Sequence, residues 1–420
     1  MVLRKLTEKP AMKVLLSAFA CEPDKGSEFA VGWNWAVSLS RAGHDVVVMT
    51  RSQSRTAIER ALAEIDVQPR FAYFDVPRKL RWQARGPLHV HSVLWQWLVV
   101  EFARSLHRRE QFDRVHHVTY AGVRAPSFLG ELGIPFIFGP VGGGESAPWR
   151  LRRGYGTAAS ALELVRDAAN LMVRLSPTMK STFQRASRIY VTSPETLAML
   201  PRRYRCKTHI ELAIGIDDPP NDRNADVSLF SDRRHGLRVL YAGRFVDFKG
   251  MHLGLPGFAR LAREDDEARL SMVGEGPAKL RWQKLARSLG IERQVDWVEW
   301  QSGQAMDRVY EQHDVLLFPT LHDSGGLVAL EAMRHGLPVV CLKLGGPSAL
   351  VHDGCGRVIV PEGKGTAEVV AELGQALLLL RNEAFRAELS KGARARCSEF
   401  SWSRKVTRLY GAAASSAGLA

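Results

Sequence analysis

A chain of 420 residues, 45% hydrophobic and 24% charged, is long enough for two or three domains and has the balance of a folded globular protein, not a disordered or fibrous one. Its five cysteines (Cys21, Cys206, Cys341, Cys355 and Cys397) are scattered and never form C-x-x-C, which argues against a disulfide framework or zinc site and predicts a reducing, cytoplasmic setting. The opening MVLRKLTEKP lacks the apolar run of a signal peptide, and no stretch of about 18 apolar residues predicts a membrane-spanning helix.

The net charge of +14 is uneven: residues 1–215 hold 31 Lys+Arg against 18 Asp+Glu, and residues 216–420 hold 27 against 26. A first half this basic suits an anionic partner, whether a membrane surface, a phosphorylated acceptor or a nucleic acid; a generally basic surface is the alternative.

In chain order, Met12–Ser17 reads as a short buried strand, followed by a loop G-S-x-x-x-x-G from Gly26 to Gly32, a helix Trp33–Arg41 and a strand Val46–Thr50. This is a parallel βαβ unit without the G-x-G-x-x-G fingerprint, its loop at the strand end where open α/β sheets bind ligands. Residues 78–97 mix cations with Trp82, Trp95 and Trp97. The mixture suits a membrane surface, a nucleic acid, or a surface segment whose tryptophans point into the core. Arg114–Thr119 is strand-like and contains His116 and His117, which must point to opposite faces, so only one could face a cleft. Ile134–Phe138 is a strand followed by G-P-V-G-G-G-E, Gly139 to Glu145, where Gly142 and Gly143 suggest a phosphate nest, an acceptor loop or a hinge. A helix over Ala158–Leu175 and a strand over Arg188–Thr192 complete the first half.

Residues 214–236, rich in Asp and Pro, are the best linker candidate. A second βα series starts with the strand Arg238–Ala242 and the loop G-R-F-V-D-F-K-G, with Arg244 and Lys249 five apart, and continues into a helix over Met251–Arg263. The strand Arg269–Val273 leads to Gly274 and Gly276, and Val295–Trp300 is a further strand. Then the apolar run Asp314–Pro319 leads through Asp323, Gly325 and Gly326 into a helix from Leu327 to His335, which includes Val328 and Glu331. A glycine turn opening a helix offers free N–H groups and a positive dipole end to phosphate. Cations, amides and carboxylates thus share one rim of a doubly wound sheet, a site for a nucleoside diphosphate with carboxylates on sugar hydroxyls.

The run from Asp323 to Val340, D-S-G-G-L-V-A-L-E-A-M-R-H-G-L-P-V-V, resembles the signature of glycosyltransferase family 4. So do G-R-F-V-D-F-K-G, V-G-E-G-P, G-P-V-G-G-G-E and the closing F-S-W-S-R-K-V-T-R-L-Y. The resemblance implies a retaining enzyme of the GT-B fold, two Rossmann-like domains facing across a cleft. The domains would be an acceptor-binding one over residues 1–215, a nucleotide-sugar-binding one over 216–399, and a helix over 400–420 crossing back. It implies that Arg244 and Lys249 hold the donor diphosphate without a metal, helped by the amides of Gly326, Leu327 and Val328. Glu331 would bind the ribose, and Asp323, at a position where the family has Glu, the donor sugar. Gly26, Gly274, Gly276 and Gly325 would border the donor, and Gly142, Gly143 and Glu145 the acceptor. The family's first-domain histidine falls on His117 or His116. No cofactor is implied beyond a UDP- or GDP-sugar as substrate. The expected partners are a glycan or lipid-linked acceptor and an anionic membrane met by the basic half, with no nucleic acid. The alternatives are a nucleotide-sugar epimerase of the same fold, a DNA-glucosylating or nucleic-acid-binding protein, and a non-catalytic sugar-nucleotide binder.

Overall fold

The computed structural model describes residues 11–411 except 24, 27, 78–87, 218–235 and 302. Trp82, Ser27 and most of the expected linker therefore lie outside the described residues. The chain forms two compact units. The first comprises Met1–Gly144, Asn170–Asp217 and Ser401–Ala420; the second comprises Glu145–Ala169 and Asp218–Phe400. The expected boundary at 215/216 has a counterpart at 217/218 and that at 399/400 one at 400/401, but residues 145–169, read from sequence as part of the first domain, cluster with the second. Nothing in their local pattern distinguishes them, because which sheet a helix packs on is set by contacts distant in sequence.

Among the described residues the first unit holds seven strands: β1 (Lys13–Ser17), β2 (Asp45–Thr50), β3 (Arg70–Tyr73), β4 (Arg114–His117), β5 (Phe136–Val141), β6 (Arg188–Val191) and β7 (Thr208–Ile210). They form one sheet in the order β3-β2-β1-β4-β5-β6-β7, every pair parallel. The second holds β8 (Arg238–Ala242), β9 (Arg269–Val273), β10 (Val295–Val298), β11 (Val315–Phe318), β12 (Val339–Leu342) and β13 (Gly356–Ile359). Their order is β10-β9-β8-β11-β12-β13, again parallel throughout. Runs such as Val315–Phe318 and Val339–Leu342 are buried along their whole length, which is why they are continuously apolar instead of alternating. Each sheet reverses its strand order next to its first strand, the topological switch point where open α/β sheets take ligands. In the second unit that point lies between β8 and β11.

Several elements differ from the sequence reading at their ends. The first helix begins at Glu28, before Trp33. The segment read as basic and aromatic continues into a long helix, Leu88–Glu110, in which Trp95 is fully buried and Trp97 is exposed. Of the three readings left open there, Trp95 follows the core one: its indole N–H donates to the Phe74 carbonyl at 2.9 Å.

The closing helix, Trp402–Gly411, completes the first unit. Its Trp402, Val406, Leu409 and Tyr410 join Trp35, Val14 and Leu16 in one apolar cluster. Lys405, wholly buried, donates to Glu211 at 2.7 Å and to the Leu212 carbonyl at 2.5 Å. Arg408 reaches the same carboxylate at 2.9 Å. Among the described residues no helix is long and apolar enough to cross a membrane.

Candidate donor site

The groups that converge in the second unit come from the loops after β8 and β11, the two strands flanking its switch point. The first loop is fastened on both sides of Arg244, and before it the Gly243 N–H donates to the Val273 carbonyl at 3.0 Å. Phe245 N–H donates to the Glu275 carbonyl at 2.8 Å, and Ala278 N–H to the Phe245 carbonyl at 2.9 Å. Gly274 and Gly276 permit this approach, since a Cβ at either would run into the backbone of Gly243 or Phe245. Their work is to seat the Arg244 loop. Arg244 itself is exposed, and its guanidinium has no hydrogen bond or ion pair among the described residues.

Lys249 closes the same loop. The next residue, Gly250, has φ +75° and lies against the Pro319 carbonyl, so no side chain fits there and the two loops stay in contact. The Lys249 ammonium meets the Asp323 carboxylate at 2.5 Å and lies over the Phe318 ring at 4.8 Å from its centroid. Asp323 also accepts from the amides of Gly325 at 3.0 Å and Gly326 at 3.1 Å. Burial alone would raise its carboxyl pKa, but the charge and hydrogen bond of Lys249 and these two amides hold it below the ordinary value. Asp323 is therefore ionised at neutral pH and already committed: it aims Lys249 and folds the glycine turn. The Gly326 amide, expected to meet phosphate, is spent on this turn.

The next two amides are not. Leu327 and Val328 open the helix Leu327–Arg334 behind Gly326, and their N–H groups have no acceptor among the described residues. Further along the helix, Glu331 accepts from the Tyr310 hydroxyl at 2.8 Å. Burial raises its pKa despite that bond.

The segment 145–169 carries residues that the sequence reading assigned elsewhere or missed. Glu145, expected at the acceptor, is buried in the second unit, where it accepts from the Ser324 hydroxyl at 2.8 Å. Glu163 is also buried and meets His322 Nε2 at 2.6 Å, and the His322 ring stacks on Phe248 at 4.2 Å. Two carboxylates thus grip the residues on either side of Asp323, and the His322 ring stacks beside Lys249. The segment is anchored in turn: Ala147 and Leu151 join the second core, and the Leu151 carbonyl accepts from His252 Nε2 at 2.8 Å. No sequence motif marks this brace; its signal was a helix with two acids among apolar residues. Glu163→Leu is expected to lower stability by about 1–3 kcal/mol in urea unfolding, because buried His322 loses its partner.

In the first unit both candidate histidines are enclosed. They do point to opposite sides of the sheet, but neither reaches solvent. His116 meets the Tyr410 hydroxyl at 2.9 Å and the Gly139 carbonyl at 2.7 Å, and burial lowers its pKa to about 3. His117 meets Gln96 and the Thr119 carbonyl, each at 3.0 Å, and burial lowers its pKa to about 4. The expectation that one of them faces a cleft is corrected: strand β4 lies at the centre of the sheet, covered on both faces, so both rings are neutral core groups. Gly142 and Gly143 continue β5, with the Gly143 carbonyl accepting from Arg124 at 2.7 Å. Gly26 is exposed on the loop after β1, with nothing packed on it.

Residues 233–396 match the family model described as glycosyl transferases group 1. A D-inositol 3-phosphate glycosyltransferase from Geodermatophilus obscurus is 32% identical over 204 residues, 46% of this chain and 43% of that protein. The chain thus aligns with less than half the length of such relatives. Among solved structures, a glycosyltransferase from Rickettsia africae superposes with a TM-score of 0.61 at 15% identity, covering 97% of this chain and 100% of the other. Anabaena Alr3699/HepE in complex with UDP gives 0.57 at 15% identity, covering 96% and 100%. The fold is GT-B, made of two Rossmann-like α/β units, and residues 233–396 are similar to the group 1 glycosyl transferases.

Proposed function

We propose that this chain is a retaining glycosyltransferase of family 4 that moves a sugar from a nucleoside diphosphate donor, UDP- or GDP-linked, to a glycan or lipid-linked acceptor. The observation that carries this reading is the convergence at the β8/β11 switch point: Lys249 held by Asp323, beside a helix start with two unspent amides. As the bond from the sugar to the diphosphate breaks, negative charge grows on the leaving oxygen. Lys249, Arg244 and the amides of Leu327 and Val328 are preset to receive it. Glu331 accepts from the ribose hydroxyls, its orientation fixed by Tyr310. Asp323 acts through Lys249, not as the base. The basic first half favours an anionic acceptor at the cytoplasmic face of a membrane, and the name of the curated relatives adds inositol phosphates to the acceptors worth testing.

A thermal-shift screen across UDP-, GDP- and ADP-sugars tests the donor. One nucleotide class is expected to raise the melting temperature in a concentration-dependent way and, as a labelled sugar without acceptor, to be hydrolysed slowly. Silence across all donors in both assays would overturn the reading, and an epimerised sugar nucleotide formed without acceptor would replace it with the epimerase.

A further inference from the structure

Glu331 is held by one phenol. One of its oxygens accepts from the Tyr310 hydroxyl at 2.8 Å, and the other has no hydrogen-bond partner among the described residues. Tyr310 is buried and comes from the helix Gln304–Glu311. Asp307, Tyr310 and Glu311 stand three and four residues apart on that helix and so share one face. Glu331 and His335 stand four apart on the helix Leu327–Arg334, where His335 is the capping residue at its end. Side chains of the two helices meet in two antiparallel rungs. Tyr310 meets Glu331; three residues back on one helix and four on along the other, Asp307 meets His335 Nε2 at 3.0 Å. The rungs are joined, because the His335 ring stacks on the Tyr310 ring with centroids 5.3 Å apart and planes 20° from parallel. Burial lowers the His335 pKa against the hydrogen bond and charge of Asp307 and the charge of Glu311. A neutral imidazole bonded to a carboxylate through Nε2 carries its proton on that nitrogen, so Asp307 sets both the tautomer and the ring's orientation. These side chains all belong to the second unit.

We propose that Asp307 and His335 are positioning residues for recognition of the donor's ribose: His335, aimed by Asp307, packs the Tyr310 ring so that its hydroxyl presents Glu331 to the ribose hydroxyls. The inference rests on the reading of Glu331 as the ribose ligand. The carboxylates of Asp307 and Glu311 are half-exposed, and an exposed pair of this kind adds little to global stability. Its effect is local. A glutamate side chain left to rotate must be ordered when the nucleotide arrives, and a phenol already locked in place removes that cost beforehand. Losing the stack therefore weakens ribose recognition and leaves the rest of the donor site, Lys249 and the free amides, as it was.

The test is calorimetry of the full chain with UDP, GDP and ADP, each beside its 2′-deoxy and 3′-deoxy forms. The parent is expected to bind one ribonucleotide about 10–100-fold more tightly than at least one of its deoxy forms, the worth of a hydrogen bond to a charged group. Glu331→Ala is expected to erase that preference. His335→Ala is expected to shrink it about two- to tenfold, the cost of ordering one side chain, and His335→Phe, which keeps the stack, to restore most of it. In the Glu331→Ala background, His335→Ala is expected to change the preference no further, because the two act through one contact. Should His335→Ala misfold, Asp307→Ala reads the same chain from a half-exposed position, with a smaller loss in the same direction. A folded His335→Ala that keeps the parental preference would overturn the proposal, as would one that weakens ribose and deoxyribose forms equally. A preference that survives Glu331→Ala would instead remove the ribose role of Glu331, and this inference with it. Binding of none of the three nucleotides would overturn the donor reading itself.

Discussion

Lys249→Ala is expected to lower the rate of sugar transfer by about 10²–10³-fold while leaving the protein folded. A stabilising group that acts on charge present chiefly in the transition state is worth about that much when removed. The loop should survive the loss. Asp323 keeps its bonds to the amides of Gly325 and Gly326, and the Gly250–Pro319 contact does not involve the lysine side chain. Initial rates with the donor identified by screening, set beside circular dichroism and thermal melting, check the outcome. A variant that melts earlier but transfers at the parental rate would reduce Lys249 to a structural ion pair. Asp323→Asn tests the partner: the neutral amide keeps the turn but no longer holds the ammonium, so kcat should fall more than donor binding.

Glu211→Ala is expected to cost about 3–5 kcal/mol in urea unfolding, the usual consequence of leaving a buried charge without its partner. Lys405 has no exposed surface, and Glu211 is the carboxylate that meets it and Arg408. Replacing both Glu211 and Lys405 with leucine should recover much of the loss, because no orphan charge then remains. The same pair predicts an acid dependence. Burial would raise the Glu211 pKa, but hydrogen bonds from Arg408 and Lys405 hold it below its ordinary value. A carboxyl whose folded pKa is depressed adds stability above its unfolded pKa, and that stability is lost as the pH falls through the folded one. The parent should therefore lose stability in that acid range more steeply than the double leucine variant, as urea titrations across pH would show.

The second unit was legible because its ligand loops are local. A strand, a turn and a helix follow one another over residues 238–264 around Arg244 and over 315–334 around Asp323, and glycine, charge and apolar runs mark each in order. Boundaries of one or a few residues were lost where strands continue into loops without change of composition, as at Val141 and Val298. Partners distant in sequence could not be read. Nothing near Asp323 shows that its carboxylate is taken by a lysine 74 residues earlier. Nothing near His116 shows that a tyrosine 294 residues later meets its ring. Period-two geometry did place the two histidines on opposite faces, but a strand's pattern does not show that helices cover both sides. Glu145 illustrates the same limit: its glycine-rich context suggested an acceptor loop, and its actual neighbour, Ser324, lies 179 residues on.

The interleaving of the two units has a consequence for synthesis on the ribosome. The polypeptide passes from one unit to the other at 144/145, 169/170, 217/218 and 400/401. No single cut yields either half intact: a fragment ending at 217 would carry Ala147 and Leu151 with no core to receive them and would leave Trp35 without Trp402. The earliest-begun unit is therefore finished after the second, since the helix that seals it is made only once residues 218–400 have been. Until then its buried glutamate at 211 waits for the lysine and arginine that neutralise it, so a nascent chain truncated before 401 should be a strong client for chaperones.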